Sequence, residues 1–348
     1  MVMISPPLVG LAPAMHSMPA MADIWKNIRP AQKTTVPPTV PFLALPTPGS
    51  ELGIRRFTDS CPTFPSLTPW GGSKRLLLPK LLPHLPTSLG GTVGIPFAGM
   101  LALELELYFN GTFQEGTDLL INDLNAPLML LLWVVRDPQG LHDILTILND
   151  RRFENTETAY YDVRETFRHR RLYEYDQYAI AAQSQPRDFA EPAAEFYYLM
   201  KFGMLGIHRV TMRCRDPQHF GHPTFSLPFG WKGYEDKIKV WDVERYNEDR
   251  FLANHAMLQG AQLFIGSYES MFDGITTGDL VDKSKNLFLW CDPPYDASEL
   301  DYMSDFSAYA QWTLAQHMRH LDHQRDHLGH LRFALSNSNT PAVRALYD

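Results

Sequence analysis

Short apolar runs that end at turn residues recur in two parts of the chain, and they set its architecture. Leu287-Phe288-Leu289-Trp290-Cys291 is continuous and closes at Asp292-Pro293-Pro294-Tyr295, the pattern of a buried strand in a parallel sheet. Gly91-Thr92-Val93-Gly94-Ile95, Leu119-Leu120-Ile121-Asn122 and Leu331-Arg332-Phe333-Ala334-Leu335 read as further strands. Helical stretches follow them over Met100–Tyr108, Ala126–Val135 and from near Pro341, and Leu76–Leu85 reads as a short helix broken by prolines. Strands alternating with helices predict an α/β, Rossmann-like sheet. Between about residues 150 and 250 this alternation lapses, with one more strand near Lys237–Val243. Residues 1–53 are rich in Pro, Ala, Met and Thr, carry no usable period and read as a disordered extension.

Composition narrows the class. With 348 residues, 45% hydrophobic and 20% charged, the chain is a globular protein large enough for one large domain or two modest ones. The net charge of −8 argues against a uniformly basic DNA-coating protein but leaves room for a local basic groove. Cys61, Cys214 and Cys291 are scattered and odd in number, which fits a reducing, cytoplasmic setting better than a disulfide framework. The longest apolar stretch, near Pro127–Val135, is too short to span a bilayer. Pro6, Pro7 and Pro13 interrupt the apolar amino terminus, so no membrane segment or signal peptide is expected, and no obligate protein partner is evident.

Candidate chemistry gathers where strands end. Asp292-Pro293-Pro294-Tyr295 would set a carboxylate, rigid carbonyls and an aromatic face at the sheet's carboxyl edge, where open α/β sheets bind ligands. That set suits a planar ring bearing an amino group; the plainer reading is a Pro-rich turn. Pro96-Phe97-Ala98-Gly99, between a strand and a helix, is a tight turn of the nucleoside-binding type. Asp123, at the end of the next strand, is placed to hold ribose hydroxyls or to cap the following helix. Trp70-Gly71-Gly72-Ser73-Lys74 offers close backbone approach, a ring and a cation. Arg164, Arg168, Arg170, Arg171, Arg209, Arg213 and Arg215 concentrate in the middle segment, diluted by Glu165 and Glu174. They suit either phosphate contact or a solvated charged helix. His317, His320, His323, His327 and His330 share helical spacing, but no carboxylate or cysteine completes a zinc site, and no metal is expected.

These pieces, in this order, resemble the Dam-type DNA adenine methyltransferases. Phe202–Arg209, Phe225–Gly230 and Ser336–Tyr347 are similar to that family as well, so the likeness covers most of residues 65–348. The resemblance implies an S-adenosyl-L-methionine-dependent methyltransferase sheet with an inserted, mostly helical target-recognition domain. The cofactor-binding half would be residues 54–150, the recognition domain 151–250 and the catalytic half 251–348. It also implies that Asp292, Pro293, Pro294 and Tyr295 act on a flipped adenine in double-stranded DNA. Trp70, Lys74, Pro96, Phe97, Gly99, Asp123 and Asp292 would surround the cofactor, while Arg168, Arg170, Arg171, Arg209 and Arg213 would contact DNA. A GATC target and a restriction-modification setting are family expectations only. Departures stand at Ile95, where the family usually has Glu, at Met100 and Leu101, where it has Ser-Gly, and at Leu205, where it has Asn. The chain also ends at Asp348, where relatives generally continue through another helix and a strand pair. Two rival readings remain: a catalytically impaired DNA-binding relative, and an amino-methyltransferase acting on RNA or protein.

Overall fold

A computed structural model describes residues 2–4, 43–44, 66–173, 185–211, 222–230, 246–295 and 306–347. Its centre is a mostly parallel sheet. The strands are β1 (Val2–Ile4), β2 (Leu43–Ala44), β3 (Thr92–Ile95), β4 (Asp118–Asp123), β7 (Ala261–Ile265), β8 (Leu287–Cys291) and β9 (Arg332–Ser336). They lie in the order β1-β9-β8-β3-β4-β7-β2. A separate two-stranded ribbon pairs β5 (Val210–Thr211) with β6 (Thr224–Phe225). From β9 to β7 every pairing is parallel, and only the edge strands β1 and β2 run antiparallel. Two pieces of the stretch read as a disordered extension thus pair with the sheet. The expected strand near Lys237–Val243 lies outside the described residues.

Burial explains the continuous apolar runs. Helices cover both faces, so β3 and β8 are buried at every position instead of alternating. Besides one short turn of helix at Leu78–Leu81, within the stretch Leu76–Leu85, the helices are α1 (Ala102–Phe109), α2 (Ala126–Arg136), α3 (Pro138–Leu148), α4 (Glu157–His169), α5 (Ala190–Phe202), α6 (Glu248–Leu258), α7 (Tyr268–Thr277), α8 (Ala308–His323) and α9 (Pro341–Tyr347). Buried along its whole length, α2 forms the spine of the larger core, packed on α3, α5 and α6. The four sheet strands expected from Gly91–Ile95, Leu119–Asn122, Leu287–Cys291 and Leu331–Leu335 form, with ends displaced by at most one residue. Among the described residues no helix is long and apolar enough to cross a membrane.

The chain leaves β3 toward β4 on one side, and β8 and β9 lie on the other, so the winding reverses beside β3. In open α/β sheets the crevice beyond the carboxyl ends at such a point is the ligand site.

Candidate functional site

Backbone bonds assemble the loops over that crevice. The Ala98 N–H donates to the Asn122 carbonyl at 2.9 Å, and the Asn122 amide donates to Pro96 and Gly266 carbonyls at 3.0 Å each. Three strand-end loops are thereby tied together by one buried side chain. Asp123 accepts from Gly99 N–H at 3.0 Å and from Asn125 N–H at 2.8 Å. Burial raises its carboxyl above the ordinary range, and these N–H groups pull it back. Capping of α2, the other role open to Asp123, falls to Asn125, whose side-chain oxygen accepts from Leu128 N–H.

Gly99 has φ of 48°, and a Cβ there would stand 3.1 Å from Trp70 Nε1. Glycine therefore serves both the turn and the close approach of the indole. Leu101, with φ of 54°, precedes α1 without a side-chain cap, a conformation costing a leucine about 1–2 kcal/mol.

At the end of β8 the carboxylate of Asp292 is held from two sides. Lys74 Nζ lies 2.6 Å from Oδ2 and also donates to the Gly72 carbonyl at 2.6 Å. Ser336 Oγ donates to Oδ1 in a short bond and itself accepts from the Tyr295 hydroxyl at 3.1 Å. Lys74 further stands 4.8 Å over the Tyr295 ring. Burial raises the Asp292 pKa, while Lys74 and then Ser336 oppose the shift. For Lys74, burial alone would lower the pKa, but Asp292 and Tyr295 reverse it, so the ammonium is retained. The Pro294 carbonyl, expected to face the cavity, accepts instead from Gln311 at 2.8 Å, with Gln311 fixed by Asn337.

The strand-end loops border one cavity of about 520 Å³. Trp70, Lys74, Pro96, Phe97, Gly99, Asp123 and Asp292–Tyr295, separated by up to 225 residues in sequence, line it together. Phe97 packs on Tyr268 at 5.1 Å and edge-on to Phe306 at 5.9 Å. Two cavity residues passed unnoticed in the sequence. Glu104, on α1, is only 4% exposed and its carboxyl is pushed up to about 8, chiefly by burial. His208 stacks on Trp70 at 5.5 Å, and its Nε2 meets the Tyr173 hydroxyl at 2.9 Å and the Asn125 amide at 3.2 Å. Two donors on one nitrogen require an unprotonated acceptor there, in line with burial lowering this imidazole to about 3.

The arginines divide differently from expectation. Tyr160, Arg164 and Arg168 form one stripe of α4. The Tyr160 hydroxyl donates to the Leu227 carbonyl at 3.1 Å, Arg164 to the same carbonyl at 3.2 Å, and Arg168 Nε to the Phe225 carbonyl at 2.9 Å. They hold β6 and the segment after it. Arg170 forms a fork on Glu195 at 2.6 and 2.8 Å, and Glu195 is only 1% exposed. Arg168 and Arg170 are thus committed within the protein. Arg171 is half-buried at φ of 50°, Arg209 is exposed at the start of the β5–β6 ribbon, and Arg213 lies outside the described residues.

Arg170→Met should lower stability by about 3 kcal/mol, because a buried Glu195 loses its counter-ion. The double variant with Glu195→Met should recover most of that in thermal melts. Equal melting of single and double variants would contradict the pairing.

A family model described as D12 class N6 adenine-specific DNA methyltransferase matches residues 70–348. The chain is 26% identical over 281 residues to the retron Ec67 DNA adenine methylase of Escherichia coli, covering 80% of this chain and 79% of that protein. It is 22% identical over 252 residues to the type II methyltransferase M.CviBI of Paramecium bursaria Chlorella virus NC1A, covering 72% and 74%.

Proposed function

Since the chain belongs to the D12 class N6 adenine-specific DNA methyltransferase family, we propose that it carries a methyl group from S-adenosyl-L-methionine to the amino nitrogen of an adenine swung out of duplex DNA. The observation that supports this best is that Asp292, the Pro96–Gly99 turn and Asp123 open onto one cavity. A site with Asp292 on another face of the sheet from Phe97 would have left no such reading.

The residues present fit the donor. Asp123 keeps acceptor capacity beyond its two N–H partners and is positioned for ribose hydroxyls. Gly99 leaves the slot beneath Trp70 that any side chain would fill. When bound, the donor supplies an electrophilic methyl on a sulfonium. Adenine's amino nitrogen is a weak nucleophile, because its lone pair is delocalised into the ring. The Asp292 carboxylate and the Pro293 carbonyl would accept its two N–H bonds, favour a pyramidal nitrogen and stabilise the positive charge that develops. Tyr295 would stack on the base, on the ring face opposite Lys74. Phe97, Tyr268 and Phe306 would keep water from the reacting atoms.

Residues 151–250 serve in this reading as the recognition domain. The β5–β6 ribbon, clamped by α4, would face DNA with Arg209. Arg164 and Arg168 act on DNA only by aiming that ribbon. The sheet-forming parts on either side, 54–150 and 251–348, would form the methyltransferase domain.

The direct test supplies tritiated S-adenosyl-L-methionine with duplex DNA, RNA or protein and identifies the labelled product. N6-methyladenine in DNA alone is expected. Label in RNA or protein would favour the broader amino-methyltransferase, and no heat on calorimetric titration with S-adenosyl-L-methionine would favour the impaired relative.

A further inference from the structure

Glu104 is not needed by the mechanism above, yet it lines the same cavity and is almost wholly buried. Its place is fixed by α1: the carboxyl lies at the third residue of a helix whose preceding residue, Leu101, offers no cap. The backbone N–H groups of Leu103 and Glu104 itself act on it, a modest compensation for burial. Acidic side chains dominate the cavity wall. Asp123 is engaged by two backbone N–H groups, Asp292 holds Lys74 and Ser336, and Glu269 is exposed. Lys74, the lysine on that wall, is already shared between Asp292 and the Gly72 carbonyl, and His208 is neutral. Glu104 is therefore a buried carboxyl for which, as for Asp123, the cavity provides no dedicated counter-ion, and Asp123 alone of the two is held by the Gly99 and Asn125 N–H groups.

The charged groups that bear on it explain its state. Asp292 disfavours ionisation and Lys74 favours it, but burial outweighs both. Tyr295 lines the same cavity, and on α6, packed on α1, His255 is turned to the Val135 carbonyl at 2.8 Å. A cation brought into the cavity would change that balance. Resting on the reading of the donor given above, we propose that Glu104 is the binding residue for the donor's α-ammonium group. It waits in the protonated form and gives its proton to solvent as the ammonium arrives. The donor's amino-acid end is thereby selected by charge, separately from the nucleoside end held at Asp123.

Calorimetry of the whole chain in phosphate and in Tris, whose ionisation enthalpies differ, tests this. At pH 7, S-adenosyl-L-methionine should release about 0.9 proton per molecule bound, the protonated fraction of a carboxyl near 8. 5′-Methylthioadenosine, which lacks the amino-acid end, should bind without linked proton release. Glu104→Gln should abolish the release and weaken the donor by about tenfold or more, leaving methylthioadenosine unchanged. Glu269→Gln should keep both the release and the affinity. Equal heats in the two buffers for the unaltered protein would overturn the role of Glu104 while leaving the donor assignment standing. Proton release that persists in Glu104→Gln would overturn it as well. Absence of donor binding in either buffer would remove the donor assignment itself, and this inference with it.

Discussion

Replacing Asp292 by asparagine should lower the methylation rate constant by roughly 10³-fold while the donor's Kd stays within about threefold. An amide matches the carboxylate in shape, so the loss isolates charge and acceptor capacity. The carboxylate presents two oxygens, each already bound by one group, Lys74 on Oδ2 and Ser336 on Oδ1, with lone pairs left for the substrate. Asparagine turns one of those acceptors into an NH2 donor. That donor opposes either Lys74 or the adenine amino group, and the remaining neutral oxygen stabilises developing positive charge far less. The buried ammonium of Lys74 also loses its counter-ion, so melting should shift downward. Single-turnover transfer to duplex DNA measures the rate, and calorimetry with the donor measures binding. A variant that transfers methyl within tenfold of the unaltered protein would remove Asp292 from the reaction.

The sheet and the heart of the site were legible because both rest on local patterns. Leu287–Cys291 announces a covered strand by having no polar position, and the strand occupies those same residues. Asp123 and Gly99 stand at strand ends, and strand ends converge once the winding order is fixed. What escaped depends on partners distant in sequence. A charge on α4 does not reveal whether its complement is a phosphate or a buried Glu195, so Arg170 could not be distinguished from a DNA contact. Ser336 reads as a turn residue until the β8–β9 register, with Cys291 opposite Leu335, brings it level with Asp292. Glu104 is hidden in Leu103-Glu104-Leu105-Glu106-Leu107, where alternation suggests solvent-facing acids. The helix turns Glu104 onto the cavity wall instead. His208 gains meaning only from Trp70, Asn125 and Tyr173, contributed by three separate segments.

Lys74→Met should move the acid limb of the pH–rate profile upward, so that turnover falls most at acid pH and recovers at alkaline pH. The sign follows from the groups that act on Asp292. Burial raises this carboxyl, and Lys74 is the largest influence opposing it, ahead of Ser336. Removing the ammonium removes that opposition, so the carboxyl takes up a proton at a higher pH. In the protonated form one oxygen becomes an O–H donor and can no longer accept from the adenine amino group. Activity is therefore lost as pH falls through the raised pKa and is retained above it. The methionine stem preserves most of the packing against Tyr295, which lies 4.8 Å beneath the native ammonium. Rates measured at saturating donor separate this effect from any weakening of donor binding. A purely structural role for Lys74 would depress the rate equally at every pH. A profile that falls without shifting would show that the ion pair does not set the charge on Asp292.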